Sequence, residues 1–134
     1  WGDTGPKVQR KLLREALDAH PDLDHIVGTS VTAEAADRVL GRLKLSEKVS
    51  VVAYYFSPDV HKALVRGKVK ASPSDSPVIQ ARISVDQIVR ILESKEVRRH
   101  VGTRVELITS ENVAGMNKLN ALTPVGFFPT YTVE

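Results

Sequence analysis

Lys48-Val-Ser-Val-Val-Ala-Tyr-Tyr55 decides the fold. The run is rich in β-branched and aromatic residues, and it is too short for a helix of ordinary length. Val49 to Ala53 is nearly continuous in apolar character. Such a strand is expected to be buried on both faces, as in a parallel sheet flanked by helices. Ser57-Pro58-Asp59 follows at once: a capping residue, a first-turn proline and an acid, in the order a helix N-terminus prefers. A strand running straight into a helix start is half of a βαβ unit.

Reading outward, the alternation continues on both sides. Thr4-Gly5-Pro6 starts a helix whose inner face carries Val8, Leu12, Leu13, Ala16 and Leu17. His20-Pro21-Asp22 stops it, because the residue before proline avoids the α region. Asp24 to Gly28 reads as a short buried strand, and Thr32 as the cap of a helix through Leu43 with Ala35, Ala36, Val39, Leu40 and Leu43 inside. Downstream, Gly67 suits the C′ position of the Pro58 helix. Val69-Lys70-Ala71 reads as a brief strand, Pro77 to Leu92 as the longest helix, and Arg104 to Ile108 as another strand. The Pro77 helix carries Ile79, Ile83, Ile88 and Leu92 near one stripe. Residues 110–123 form a polar connector with a helical turn, and Phe127 to Val133 closes in extended form. This order predicts a three-layer α/β domain with a largely parallel sheet and no linker dividing it.

A chain of 134 residues suffices for one domain with a real core. Its net charge of +3 is dispersed along the sequence, which fits a solvated surface rather than a nucleic-acid track. The absence of cysteine excludes disulfides, thiolate metal sites and cysteine nucleophiles. The chain opens at Trp1 and not at methionine, so it is expected to be a processed product or a segment of a longer protein.

No motif for a dinucleotide, a P-loop, a zincin or a serine hydrolase is present, and no cofactor is called for. His20, His25, His61 and His100 fall on different elements without ligand spacing, so no metal site is expected. No nucleophile, base and oxyanion donor come together, and the chain is read as a non-enzyme.

Ligands of open α/β sheets gather beyond the carboxyl ends of the strands. Gly28-Thr-Ser-Val-Thr32, Tyr54-Tyr-Phe56 and Ser72-Pro-Ser-Asp75 are expected there. They bring small hydroxyls including Ser30, two phenols and one carboxylate. In a continued strand Tyr54 and Tyr55 point to opposite faces, so one of them meets a ligand; Tyr55, nearer the rim, is preferred. The alternative for each tyrosine is half-buried packing with its hydroxyl bonded. Asp75 either faces the ligand or caps the Ser76-Pro77 helix. Trp1, the only tryptophan, either walls the cleft or frays with the terminus.

Several segments resemble the C-terminal part of type I periplasmic binding proteins, a fold shared with LacI-type effector domains. They are Asp18-Ala-His-Pro-Asp-Leu-Asp-His-Ile-Val27, Val51-Val-Ala-Tyr54, Ala63-Leu-Val-Arg-Gly-Lys-Val69 and Val105-Glu-Leu-Ile-Thr-Ser-Glu-Asn-Val113. Trp1-Gly-Asp-Thr-Gly5, Tyr54-Tyr-Phe56, Ser74-Asp75 and Gly126-Phe-Phe-Pro-Thr-Tyr131 are similar to the TorT-like sensors of that family. Sugar-binding members place Asn-Asp where Ser30-Val31 stand, and an Asp where Tyr55 stands. The departure implies a small methylated amine such as trimethylamine N-oxide, not a polyhydroxylated ligand. The ligand set implied by the resemblance is Tyr55, Asp75, Tyr54, Ser30, Thr4 and Trp1. The resemblance further implies a periplasmic location and a sensor histidine kinase of the TorS type as partner. An ABC-transporter solute receptor and a LacI-type effector domain are the alternatives. It also implies that the 77–92 helix packs on an N-terminal lobe outside this chain, so that the chain alone self-associates and binds ligand negligibly.

Overall fold

The computed structural model describes residues 5–124, 126–128 and 130. Its elements follow the predicted alternation. They are α1 (Pro6–Ala19), β1 (His25–Gly28), α2 (Ser30–Leu43), β2 (Ser50–Ala53), α3 (Pro58–Val65), β3 (Ala71–Ser74), α4 (Pro77–Leu92), β4 (Glu106–Thr109) and α5 (Lys118–Ala121). A 3-10 turn at Val113–Gly115 precedes α5. The sheet order is β1-β2-β3-β4, parallel from β1 to β3, with β4 antiparallel at the edge. The α/β class with a largely parallel sheet holds.

Local chemistry explains the helix starts. Ser57 accepts a hydrogen bond from Val60 N at 3.1 Å, and Pro58 occupies the first turn of α3. Gly67 has φ +69°, the left-handed geometry that ends α3 and that glycine adopts without penalty. The cap of α2 is Thr29, not Thr32. Thr29 Oγ1 accepts from Thr32 N at 3.2 Å, and Thr32 Oγ1 in turn donates to Gln9 Oε1 on α1 at 2.9 Å. The helix thus begins three residues earlier than its apolar pattern indicates, because the hydroxyl immediately after β1 captures the free N–H.

α1 packs on α2, and α2 packs on β1, β2 and α3. This side of the sheet holds the core: Leu13 and Leu17 from α1, Ala36, Val39 and Leu40 from α2, Val51 and Ala53 from β2, Val60 and Leu64 from α3, and Ile108 from β4. Each large side chain fully buried here, such as Leu40 or Leu64, contributes roughly 1.5–3 kcal/mol relative to exposure. Ala16 and Leu43 are exposed, contrary to the helical-face reading, because α1 and α2 bury narrow stripes against one another.

The strands are buried on one face only. Burial alternates along β1, β2 and β3, and Val27 is 64% exposed. The continuous apolar run in β2 therefore does not report two covered faces. Val27, Leu107 and the half-exposed Val52 lie on a face that α1, α2 and α3 do not cover. α4 has no buried residue. Its Ile79 and Ile83 are half-buried, while Ile88 and Leu92 are exposed.

Two strands are displaced from their expected positions. β3 comprises Ala71-Ser-Pro-Ser74, so Ser72 to Ser74 form strand and not the loop after it. β3 meets β2 only at Val52↔Ala71, which leaves the missing N–H of Pro73 beyond that ladder. β4 covers Glu106–Thr109 rather than Arg104 to Ile108. Phe127 and Phe128 are exposed and form no strand; Pro129 and residues 131–134 lie outside the described residues.

Candidate functional site

The carboxyl ends of β1, β2 and β3 open on one rim, because these strands are parallel. β4 runs the other way and delivers its beginning to the same rim, with Ser74 paired to Glu106. A cleft of about 180 Å³ lies there, lined by Tyr54, Tyr55, Phe56, Pro73, Asp75 and Val105.

β2 stops at Ala53, and Tyr54 and Tyr55 follow in a bend. The strict alternation assumed for them does not apply, so both rings line the cleft. They are 58% and 60% exposed, while Phe56 turns inward to 5%. Phe56 anchors the bend: its ring meets His61 of α3 edge-on, with centroids 6.4 Å apart. His61 Nε2 is buried without a hydrogen-bond partner among the described residues. Burial, and secondarily the charge of Lys118, holds the His61 imidazole below its ordinary pKa. Phe56 thereby gives the cleft a buried apolar wall.

Asp75 stands where β3 leaves for α4. It is not the helix cap. Ser76 takes that place in a left-handed conformation (φ 56°) and makes no side-chain cap bond. The Asp75 main chain is fixed: its carbonyl accepts from Gln80 Nε2 at 2.9 Å and from Thr103 Oγ1. Gln80 and Thr103 therefore tie the exit of β3 to the approach to β4, and Asp75 and Val105 also line a neighbouring cleft of about 320 Å³ against α4. Sequence reasoning missed Thr103, Gln80 and Val105. Gln80 and Thr103 act through main-chain contacts 5 and 28 residues away in sequence, which no local pattern records.

Of the predicted ligand set, Tyr54, Tyr55 and Asp75 come together. Ser30 does not join them: it is the first residue of α2, and neither it nor Val31 lines the cleft. Gly28 explains the tightness there, since a Cβ on it would lie 2.5 Å from Thr32 Cγ2. Trp1 and Thr4 lie outside the described residues. Elsewhere, burial and the Asp59 carboxylate raise the pKa of Glu34, away from this rim.

An aromatic pair and a carboxylate thus meet at the carboxyl rim of a largely parallel sheet. No family model matches the chain. It is 45% identical to an ABC transporter solute binding protein from Bradyrhizobium sp. BTAi1 with bound bis-tris (TM-score 0.87), covering 98% of this chain and 39% of that one. The chain has the fold of one lobe of the periplasmic binding proteins. It is similar to the periplasmic protein TorT of Escherichia coli (strain K12), at 35% identity over 131 residues. That match covers 97% of this chain and 37% of TorT. The complex of the TorS sensor domain with TorT in the presence of TMAO superposes with a TM-score of 0.89 at 27% identity, covering 98% of this chain and 44% of that one. The chain thus spans well under half the length of the relatives it matches.

Proposed function

We propose that this chain supplies part of a periplasmic sensory binding protein that takes a small methylated amine such as trimethylamine N-oxide. The observation that carries the reading is the convergence of Tyr54, Tyr55 and Asp75 on one small cleft. At about 180 Å³ the cleft suits a compact solute, below the roughly 300–1,000 Å³ of drug-sized sites. Methyl groups on a cationic nitrogen are attracted to the faces of aromatic rings, at about 0.5–2 kcal/mol per ring. The carboxylate complements the charge, and a phenol hydroxyl can donate to the N-oxide oxygen. One carboxylate offers fewer acceptors than the several hydroxyls of a sugar call for.

In this reading ligand acts by favouring one arrangement of the protein over another, and signalling passes through surface contact with the periplasmic domain of a sensor histidine kinase. The likeness to TorT and to its complex with TorS supports that partner. No covalent step is involved. Delivery of a solute to an ABC transporter is the second reading, favoured by the likeness to the Bradyrhizobium protein. Replacement of the rim separates ligand classes. Tyr55→Leu and Asp75→Asn are each expected to weaken binding of trimethylamine N-oxide by roughly 2- to 30-fold, from the loss of one ring or charge contact. Unchanged affinity in both variants, measured by titration followed by NMR, removes the rim from the site.

A further inference from the structure

Among the described residues β4 is an edge strand, bonded to β3 on one side and to no strand on the other. In an antiparallel pair, successive residues turn their N–H and C=O groups to opposite sides. Leu107 faces Pro73, which has no N–H to give, so Leu107 and Thr109 direct their backbone groups outward. Two of those four groups are occupied by one side chain. Thr109 N donates to Asn112 Oδ1 at 2.8 Å, and Asn112 Nδ2 donates to the Leu107 carbonyl at 2.9 Å. Glu111 N donates to Thr109 Oγ1 at 3.3 Å and holds the turn that folds Asn112 back. A single carboxamide thus bonds the carbonyl and the N–H that a further strand would bond.

The remainder of this edge is suited to pairing. Val105 and Leu107 are each 61% exposed, and a groove of about 610 Å³ runs along the strand past Asn112 and Met116. We propose that Asn112 holds the β4 edge shut against strand addition by a second copy of this chain. An antiparallel pairing of β4 with its copy, centred on Leu107, sets Val105 opposite Thr109, Glu106 opposite Ile108 and Arg104 opposite Ser110. No like charges are then directly opposed, which in an edge pairing is the condition charged residues usually break. The sheet continues through the pair, and Leu107 meets its own copy on the uncovered face. The register needs the Leu107 carbonyl and the Thr109 N–H, the two groups that Asn112 holds. The inference is independent of the ligand reading.

Amide hydrogen exchange on the complete chain, compared between dilute and concentrated solution, tests it. In the wild type Thr109 N–H is protected equally at both concentrations. In Asn112→Ala it exchanges roughly tenfold faster when dilute, for the loss of one hydrogen bond, and protection returns with concentration. Asn112→Asp keeps the acceptor for Thr109 N–H, adds a negative charge at the edge, and shows no concentration dependence. Adding Leu107→Lys to Asn112→Ala abolishes the returning protection. Protected Val51 and Ala53 amides report an intact sheet, and Asn112→Ser carries the same expectation where alanine unfolds. Exchange at Thr109 that ignores concentration in both the alanine and serine variants, with Val51 and Ala53 still protected, overturns the proposal. So does concentration-dependent protection in the wild type.

Discussion

Gly28 shows how one missing methyl group sets the rim. Its Cα sits so close to the first turn of α2 that an added Cβ would meet Thr32 Cγ2 at 2.5 Å and Thr32 Cβ at 2.6 Å. Thr32 cannot retreat without losing its bond to Gln9 on α1. Gly28→Ala is therefore expected to lower stability by about 1–3 kcal/mol, the usual cost of overpacking, read as a lower urea midpoint with unchanged slope. His61 makes a second prediction. Its pKa is held below the ordinary value of about 6.5 by burial, so below that pH the unfolded chain binds the proton and the folded chain does not. Stability is then present above the unfolded value and is lost as pH falls through it toward the lower folded value. His61→Leu is expected to flatten the decline in Tm between pH 7 and pH 5; an unchanged decline in that variant assigns it to other groups. Tyr54, Tyr55 and Asp75 were legible as rim residues because positions at a strand's carboxyl end face the rim: Tyr54 directly follows β2, Tyr55 comes one residue later, and Asp75 directly follows β3. Ser30 misled because the same rule does not say where the next helix begins, and Thr29 begins it at once.

The secondary structure was legible wherever a cap or breaker had a local cause. Ser57-Pro58, Gly67, Pro77 and the stop before Pro21 all act within one turn of chain. β3 was displaced because proline reads as a loop residue, and only the short ladder between β2 and β3 makes it admissible in a strand. The polarity pattern of β2 indicated two covered faces because valine in a strand looks the same against a helix or against water. α4 is the extreme case, a helix with clear apolar residues and none of them buried. Elements with few buried contacts open at low free energy. The amides of α4 are expected to exchange much faster than those of β1 and β2, and equal protection across these elements contradicts the arrangement described.

The assembled chain has a well-packed half and an open half. α1, α2 and α3 seal one face of the sheet, while Val27 and Leu107 on the other face remain in contact with water. On α4, Val85, Ile88, Val89 and Leu92 are exposed at helical spacing and make a continuous apolar stripe. We propose that this stripe packs on the portion of a longer polypeptide that the relatives possess and this chain does not span. The chain alone is then expected to self-associate by light scattering, and Val85→Lys with Ile88→Lys to shift it toward monomer; a wild-type monomer at high concentration argues against an interface there. On this proposal the exposure of Tyr54 and Tyr55, 58% and 60%, follows from an enclosure completed by that portion, and the affinity expected of this chain is millimolar or weaker.

The most direct test is an NMR titration of the chain with trimethylamine N-oxide, beside D-glucose at equal concentration. The aromatic-acid rim predicts shifts confined to the amides of Tyr54, Tyr55 and Asp75 and their neighbours, rising without saturation into the millimolar range, and none with glucose. Shifts at these residues with glucose and not with the amine oxide would contradict it.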